Sequence, residues 1–179
     1  SLGWNGSELV VVWQDERDNP GLYNVYGQVM DIDGNPIGGT LALTSDQVGF
    51  GNEAPWVAVG TDSVGVVWSS GSTDSRVVRF QTFAPDLTPL LAAPIALTDG
   101  TTNARGYTVA WNKDNYVVAW HDESASPRAI YAAVVEQDGT ITVPVTALSN
   151  PGSARSRNPT VKAFGDRVLV VYQDNRDGN

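Results

Sequence analysis

"VVVWQDERDNPGLYNVYGQ" spans residues 10–28, and a close version of its first half, "LVVYQDNRDGN", returns at 169–179. Two more apolar runs ending in an aromatic lie between them, "SVGVVWSSGST" at 63–73 and "NYVVAWHDESA" at 115–125. Aligned, they put Trp13, Trp68, Trp120 and Tyr172 in register at intervals of 55, 52 and 52 residues. Other segments keep the same order and period. "APWVAVG", "GYTVAWN" and "NPTVKAF" place Val57, Val109 and Val161 in step, and "NVYGQVMDIDG", "RVVRFQTFAPD" and "AIYAAVVEQDG" follow the aromatic runs. "LALT", "IALT" and "TALS" close each unit. Recurrence of a multi-part phrase at one period marks a repeat architecture.

Each unit reads as four strands. The first is the segment around Val57, Val109 or Val161, followed by a turn such as Asn112–Asn115 or Gly165–Asp166. The second is the continuous apolar run, whose lack of polar alternation suits a strand buried on both faces. The third, Asn24 to Asp31 or Ala129 to Glu136, ends at Asp33-Gly34 or Asp138-Gly139, a hairpin signal. The fourth is the short "ALT" segment, after which a long polar loop crosses to the next unit. Four strands in about 52 residues, repeated, is the pattern of a β-propeller blade. The fold class expected is therefore all-β, a β-propeller-type repeat of four-stranded antiparallel blades. The recurring aromatic is expected to pack in the core.

Composition agrees. Only 17% of the residues are charged and there are just two lysines, whereas Gly (18) and Pro (10) supply turns, so helices are disfavoured. The net charge of −9, with nine scattered arginines, argues against a nucleic-acid partner. No apolar run approaches the roughly 18 residues of a membrane-spanning helix, so no membrane insertion is expected. The absence of cysteine excludes disulfides and thiolate chemistry.

"WNGSELVVVWQDERDNPGLYNVYGQVMDIDGNPIG" (4–38) resembles the repeats of large secreted or surface bacterial proteins, in which a W-x-D-x-R phrase precedes an I/V-Y-G-Q strand and a D-G turn. The resemblance covers essentially the whole chain. It implies a propeller-type fold and an extracellular or cell-surface location in a bacterium. The second unit departs most, with Ser69-Ser70-Gly71 in place of the Asp and Arg79 in place of Tyr.

The blades are read as 1–54, lacking most of its first strand, 55–106, 107–158, and 159–179, holding two strands, within one partial propeller spanning 1–179. That amounts to about 3.4 blades. Closed propellers have about four to eight, so the ring is expected to be completed by further blades of the same protein or by another copy of the chain.

The Q-D-x-R phrase supplies the candidate ligand-binding residues: Asp15 with Arg17, Asp174 with Arg176, and Asp122 without the Arg. All lie in loops sharing a face with the crossovers Ser45–Glu53, Asp99–Gly106 and Ser149–Asn158, which carry Arg155, Arg157 and Arg105, the last a further candidate ligand-binding residue. An Asp repeated blade after blade caps loop N–H groups or pairs with a neighbouring Arg. The alternative is a carboxylate ring of Asp15, Asp122 and Asp174 holding Ca²⁺ or glycan hydroxyls. No other cofactor is expected.

"MDIDGN" (30–35) looks like a calcium loop but lacks the later bidentate Glu, and reads as a hairpin. Asp62, Gly65 and Trp68 miss the sialidase Asp-box spacing by one residue. His121, the lone histidine, aligns with Gln14, Ser69 and Gln173 and reads as a polar strand end. The "N-G-S" at Asn5 fits both a glycosylation acceptor and a turn. Glu53, Glu123 and Glu136 are acids outside the repeat. The functional expectation is a non-catalytic extracellular binding or scaffold module presenting a loop face to a glycan or protein. The alternative is a fragment of a propeller glycoside hydrolase or lyase that uses two carboxylates.

Overall fold

A computed structural model of the chain describes residues 1–45, 51–150 and 155–177. Its fourteen strands are β1 (Leu2–Trp4), β2 (Leu9–Asp15), β3 (Asn24–Met30), β4 (Pro36–Ala42), β5 (Asn52–Val59), β6 (Val64–Gly71), β7 (Arg76–Phe83), β8 (Ile95–Ala96), β9 (Ala104–Trp111), β10 (Tyr116–Asp122), β11 (Ile130–Val135), β12 (Ile141–Ala147), β13 (Ser156–Phe164) and β14 (Arg167–Asp174). They form three four-stranded sheets, β1–β4, β5–β8 and β9–β12, and a two-stranded sheet, β13–β14. Every named strand pair is antiparallel. The all-β repeat of four-stranded antiparallel blades is thus what the chain forms.

The blades stack face to face through their second strands. Val10 and Val12 of β2 meet Val64, Val66 and Trp68 of β6 in one core cluster. Val67 of β6 meets Val118 and Trp120 of β10 in the next. Ala119 of β10 meets Val168 and Val170 around β14 in the third. Alternate residues of one strand therefore face opposite neighbours, as the two-residue period of a strand requires. Each recurring aromatic points at the preceding blade. Trp68 and Trp120 are fully buried, whereas Trp13, which has no preceding blade here, is half-buried.

The first strands β1, β5, β9 and β13 pack beside one another and lie innermost. The fourth strands lie outermost, and β4 and β12 are exposed along their whole length. Those two strands correct the sequence expectation. They begin at Pro36 and Ile141, directly after the hairpin turns, rather than at the "ALT" segment. An outer edge strand buries neither face, so no hydrophobic pattern announces it, and Pro36 and Pro144 suit such an edge.

The crossovers also end earlier than expected, with a physical cause. The inner strands β5, β9 and β13 each carry a bulge near the start, between Glu53 and Trp56, opposite Ala119–His121, and between Arg157 and Thr160. The bulged residues Ala54, Gly106 and Asn158 have φ of 52°, 55° and 50°. Pairing resumes beyond the bulge, so Glu53 and Arg105 lie within strands. The remaining parts of the first and third crossovers at 46–50 and 151–154 lie outside the described residues.

Close blade contact constrains small positions. A Cβ on Gly65 in β6 would sit 2.5 Å from Cε1 of Tyr116 in the next blade, whose hydroxyl shares a 2.6 Å hydrogen bond with Ser63. Gly65→Val should therefore cost about 1–3 kcal/mol despite the higher strand propensity of valine. Urea denaturation should show that loss, and a smaller one when Tyr116→Leu is already present.

Candidate functional site

The loops after β2, β6, β10 and β14 share one face with the starts of the inner strands, and the Q-D-x-R residues lie there. Asp15 accepts from Arg17 N–H at 2.8 Å and from its guanidinium at 2.5 Å. Arg17 also lies over the Tyr26 ring, 4.4 Å from its centroid. Asp174 repeats the arrangement, accepting from Arg176 N–H at 2.8 Å, from its Nε at 3.0 Å and from Ser156 Oγ at 3.1 Å. The hydrogen bonds from Arg176 hold the Asp174 carboxyl far below the usual carboxylate range, and those from Arg17 lower Asp15.

Asp122 has no such arginine. It accepts from Asn103 N–H at 3.1 Å, Ser124 N–H at 2.9 Å and Ser124 Oγ at 2.6 Å. Arg105 reaches the preceding blade, donating to the Thr73 carbonyl at 2.7 Å. Each carboxylate is thus engaged within its own blade. Among the described residues no group of three or more His, Asp and Glu is placed to hold a metal ion.

A second constellation lies on the inner strands. Glu53 Oε2 pairs with Arg76 Nη1 at 2.9 Å, and the same nitrogen donates to Ser69 Oγ at 3.1 Å. The Tyr107 hydroxyl donates to the Glu53 carbonyl at 2.7 Å and accepts from Ser69 N–H at 3.1 Å. Burial pushes the Tyr107 pKa up to about 12, so the hydroxyl keeps its proton. These residues, with Arg105 and Trp56, line a cleft of about 210 Å³. Trp56 lies on β5 with 47% of its surface exposed.

The repeat makes the cleft informative. Glu53 aligns with Arg105 and Arg157, and Trp56 aligns with Thr108 and Thr160. Glu53 is one of the acids outside the repeat, whereas Trp56 is not among the candidates read from the sequence. Its signal was present in the alignment, as an aromatic where the other inner strands carry threonine.

Glu123, another non-repeating acid, bonds His121 Nε2 at 3.1 Å and forms an ion pair with Arg128. Glu136 lies at the far end of β11, where its N–H donates to Thr140 and its carbonyl accepts from Gly139 in a hairpin turn. Asn5 builds another turn, its Oδ1 accepting from Ser7 and Glu8 N–H. Asp31 closes the "MDIDGN" hairpin, accepting from Asp33 and Asn35 N–H.

No protein-family model matches the sequence, and no curated protein matches it. Among solved structures, the chain is similar to an α-L-arabinanase of Penicillium chrysogenum, solved in complex with arabinobiose. The TM-score is 0.61 at 16% identity, over 97% of this chain and 56% of that one. A structure described as a glycoside hydrolase aligns over 83% of this chain and 38% of that one, with 14% identity and a TM-score of 0.45, too low to carry an argument. The chain spans about half the length of the arabinanase. The likeness establishes the propeller-type fold. It also corrects the expectation of a non-catalytic binding or scaffold module, because a protein similar in fold over 97% of this chain is a glycoside hydrolase.

His121 sits where the blades interlock. Its Nδ1 accepts from Asn158 N–H, at the bulge of β13, at 3.3 Å, just as Gln14 Oε1 accepts from Ala54 N–H, at the bulge of β5, at 2.6 Å. The acceptor role places the ring proton on Nε2, toward Glu123. Burial lowers the His121 pKa below its ordinary 6.5, opposed by Glu123 and reinforced by Arg128 and Arg105. The unfolded chain thus takes up the proton first. His121 should contribute full stability above about pH 6.5 and lose it progressively as pH falls toward the depressed folded value. Melting temperatures between pH 5 and 8 should show this loss for the native chain and a flatter profile for His121→Gln.

Proposed function

We propose that the chain is a segment of a propeller glycoside hydrolase, with the cleft around Glu53 and Trp56 as its saccharide site. The observation that carries the reading is the paired break in the repeat at Glu53 and Trp56. An enzyme site needs groups that blade geometry does not, and these two stand three residues apart on an innermost strand. An exposed indole offers a flat apolar platform for the C–H face of a sugar ring. A carboxylate beside it, oriented by Arg76, can serve as one of the two carboxylates of glycoside hydrolysis. The likeness to the arabinanase supports a furanose- or pyranose-containing polysaccharide as substrate class.

Hydrolysis needs a second carboxylate about 5–10 Å from the first. Glu53 is the one carboxylate among the described residues lining this cleft, so the reading assigns the second group to blades that complete the ring. The outward face of the last sheet fits this assignment. Phe164, Leu169 and Val171 are 62%, 54% and 58% exposed there, whereas Val67, the counterpart of Val171, is fully buried by the following blade. One partial propeller in this chain, closed by further blades of the same protein and acting outside the cell, is the arrangement this reading entails.

The test is release of reducing ends from arabinan and related polysaccharides by the full-length polypeptide that contains these blades. Glu53→Gln should lower kcat by about 10²–10⁴ with the melting temperature retained. Trp56→Ala should chiefly raise KM. Hydrolysis unaffected by Glu53→Gln would overturn the assignment.

A further inference from the structure

The repeat builds the same face between the third and fourth blades, but with different charges. There Arg128, Arg155, Arg157, Gln173, Asp174 and Asn175 line a cleft of about 410 Å³. Arg128 is the counterpart of Arg76, and Arg157 that of Arg105. In the preceding cleft Arg76 is neutralised by Glu53 of the inner strand. The residue equivalent to Glu53 in the third blade is Arg105, which turns to the Thr73 carbonyl instead. Arg128 of the second cleft therefore takes its acid from its own loop, at Glu123, and not from the inner strand.

Arg128 is paired with Glu123, and Asp174 with Arg176. The guanidinium groups of Arg155 and Arg157 have neither an ion pair nor a hydrogen bond among the described residues. Two uncompensated cations therefore border one concavity in a chain whose net charge is −9. Arginine does not lose its proton at any working pH, and its planar fork matches a planar carboxylate with two parallel hydrogen bonds. Gln173 and Asn175 add neutral hydrogen-bonding groups of the kind that read sugar hydroxyls.

We propose that this cleft binds the carboxylate of an acidic saccharide, so that the glycan handled by this propeller carries uronic acid units. The saccharide part rests on the glycan reading above; the anion part rests on the two unpaired arginines alone.

The probe is trigalacturonate, compared by calorimetry at low salt with arabinotriose and with a sulfated trisaccharide. Trigalacturonate should bind the chain more tightly than either. Arg157→Gln and Arg155→Gln, both at exposed side chains and so expected to leave the melting temperature unchanged, should each weaken it about tenfold or more. They should leave any arabinotriose binding unchanged. Equal affinity for the neutral and acidic trisaccharides, or acidic binding that ignores both substitutions, would overturn the proposal. Preference for the sulfated sugar would overturn the carboxylate assignment. Arginine-dependent binding in a protein that hydrolyses no glycan would uphold this cleft while refuting the catalytic reading, so the two fail separately.

Discussion

Burial of both faces of the second strand is the constraint on which the rest of the structure depends. A strand such as β6 or β10 is buried along almost its entire length, which one sheet cannot achieve alone. Each blade needs a neighbour on either side, and the alternation along the strand assigns half of its side chains to each neighbour. Trp68 and Trp120 fill the gap on one side, while Val67 and Ala119 meet the blade on the other. Stability is therefore shared between adjacent blades, as in other repeat architectures.

Polar bonds fix how the blades are rotated against one another. The side chain ending one second strand reaches the bulge of the next inner strand: Gln14 to Ala54 and His121 to Asn158. Burying an unpaired backbone N–H costs about 1–3 kcal/mol, so the bulge and its acceptor belong together. The bulge also turns the residues just before it toward the face where Glu53 meets Arg76. The site geometry is a by-product of the same device that locks the blades.

Some residues on this face recur from blade to blade and others do not. Asp15, Asp122 and Asp174 recur, and each accepts from an N–H group of its own loop, with an arginine added at Asp15 and Asp174. Glu53 and Trp56 occur once. The second and third interblade clefts share a scaffold and each holds an ion-paired arginine, Arg76 or Arg128, yet only the latter adds two arginines, Arg155 and Arg157, without a partner among the described residues. A repeat protein can vary such positions freely because the blade does not need them.

The four-strand unit, its period and the aromatic anchors were legible in the sequence, because burial on both faces forces an unbroken apolar run that recurs with the blade. Strands β4 and β12 were illegible, since an exposed edge imposes no pattern on Pro36–Ala42 or Ile141–Ala147. The bulges were equally hidden. Ala54, Gly106 and Asn158 share a left-handed backbone but no residue type, so only pairing with the neighbouring strand reveals them. His121 could be recognised as a strand-end polar residue from its alignment with Gln14; its bond to Asn158 required the next blade. Sequence alone thus determined the repeating unit, because local burial writes a local pattern. Tertiary structure alone decided which groups face each other, because Glu53 and Arg76 come from strands that only sheet pairing brings together, and Tyr107 reaches them from the next blade.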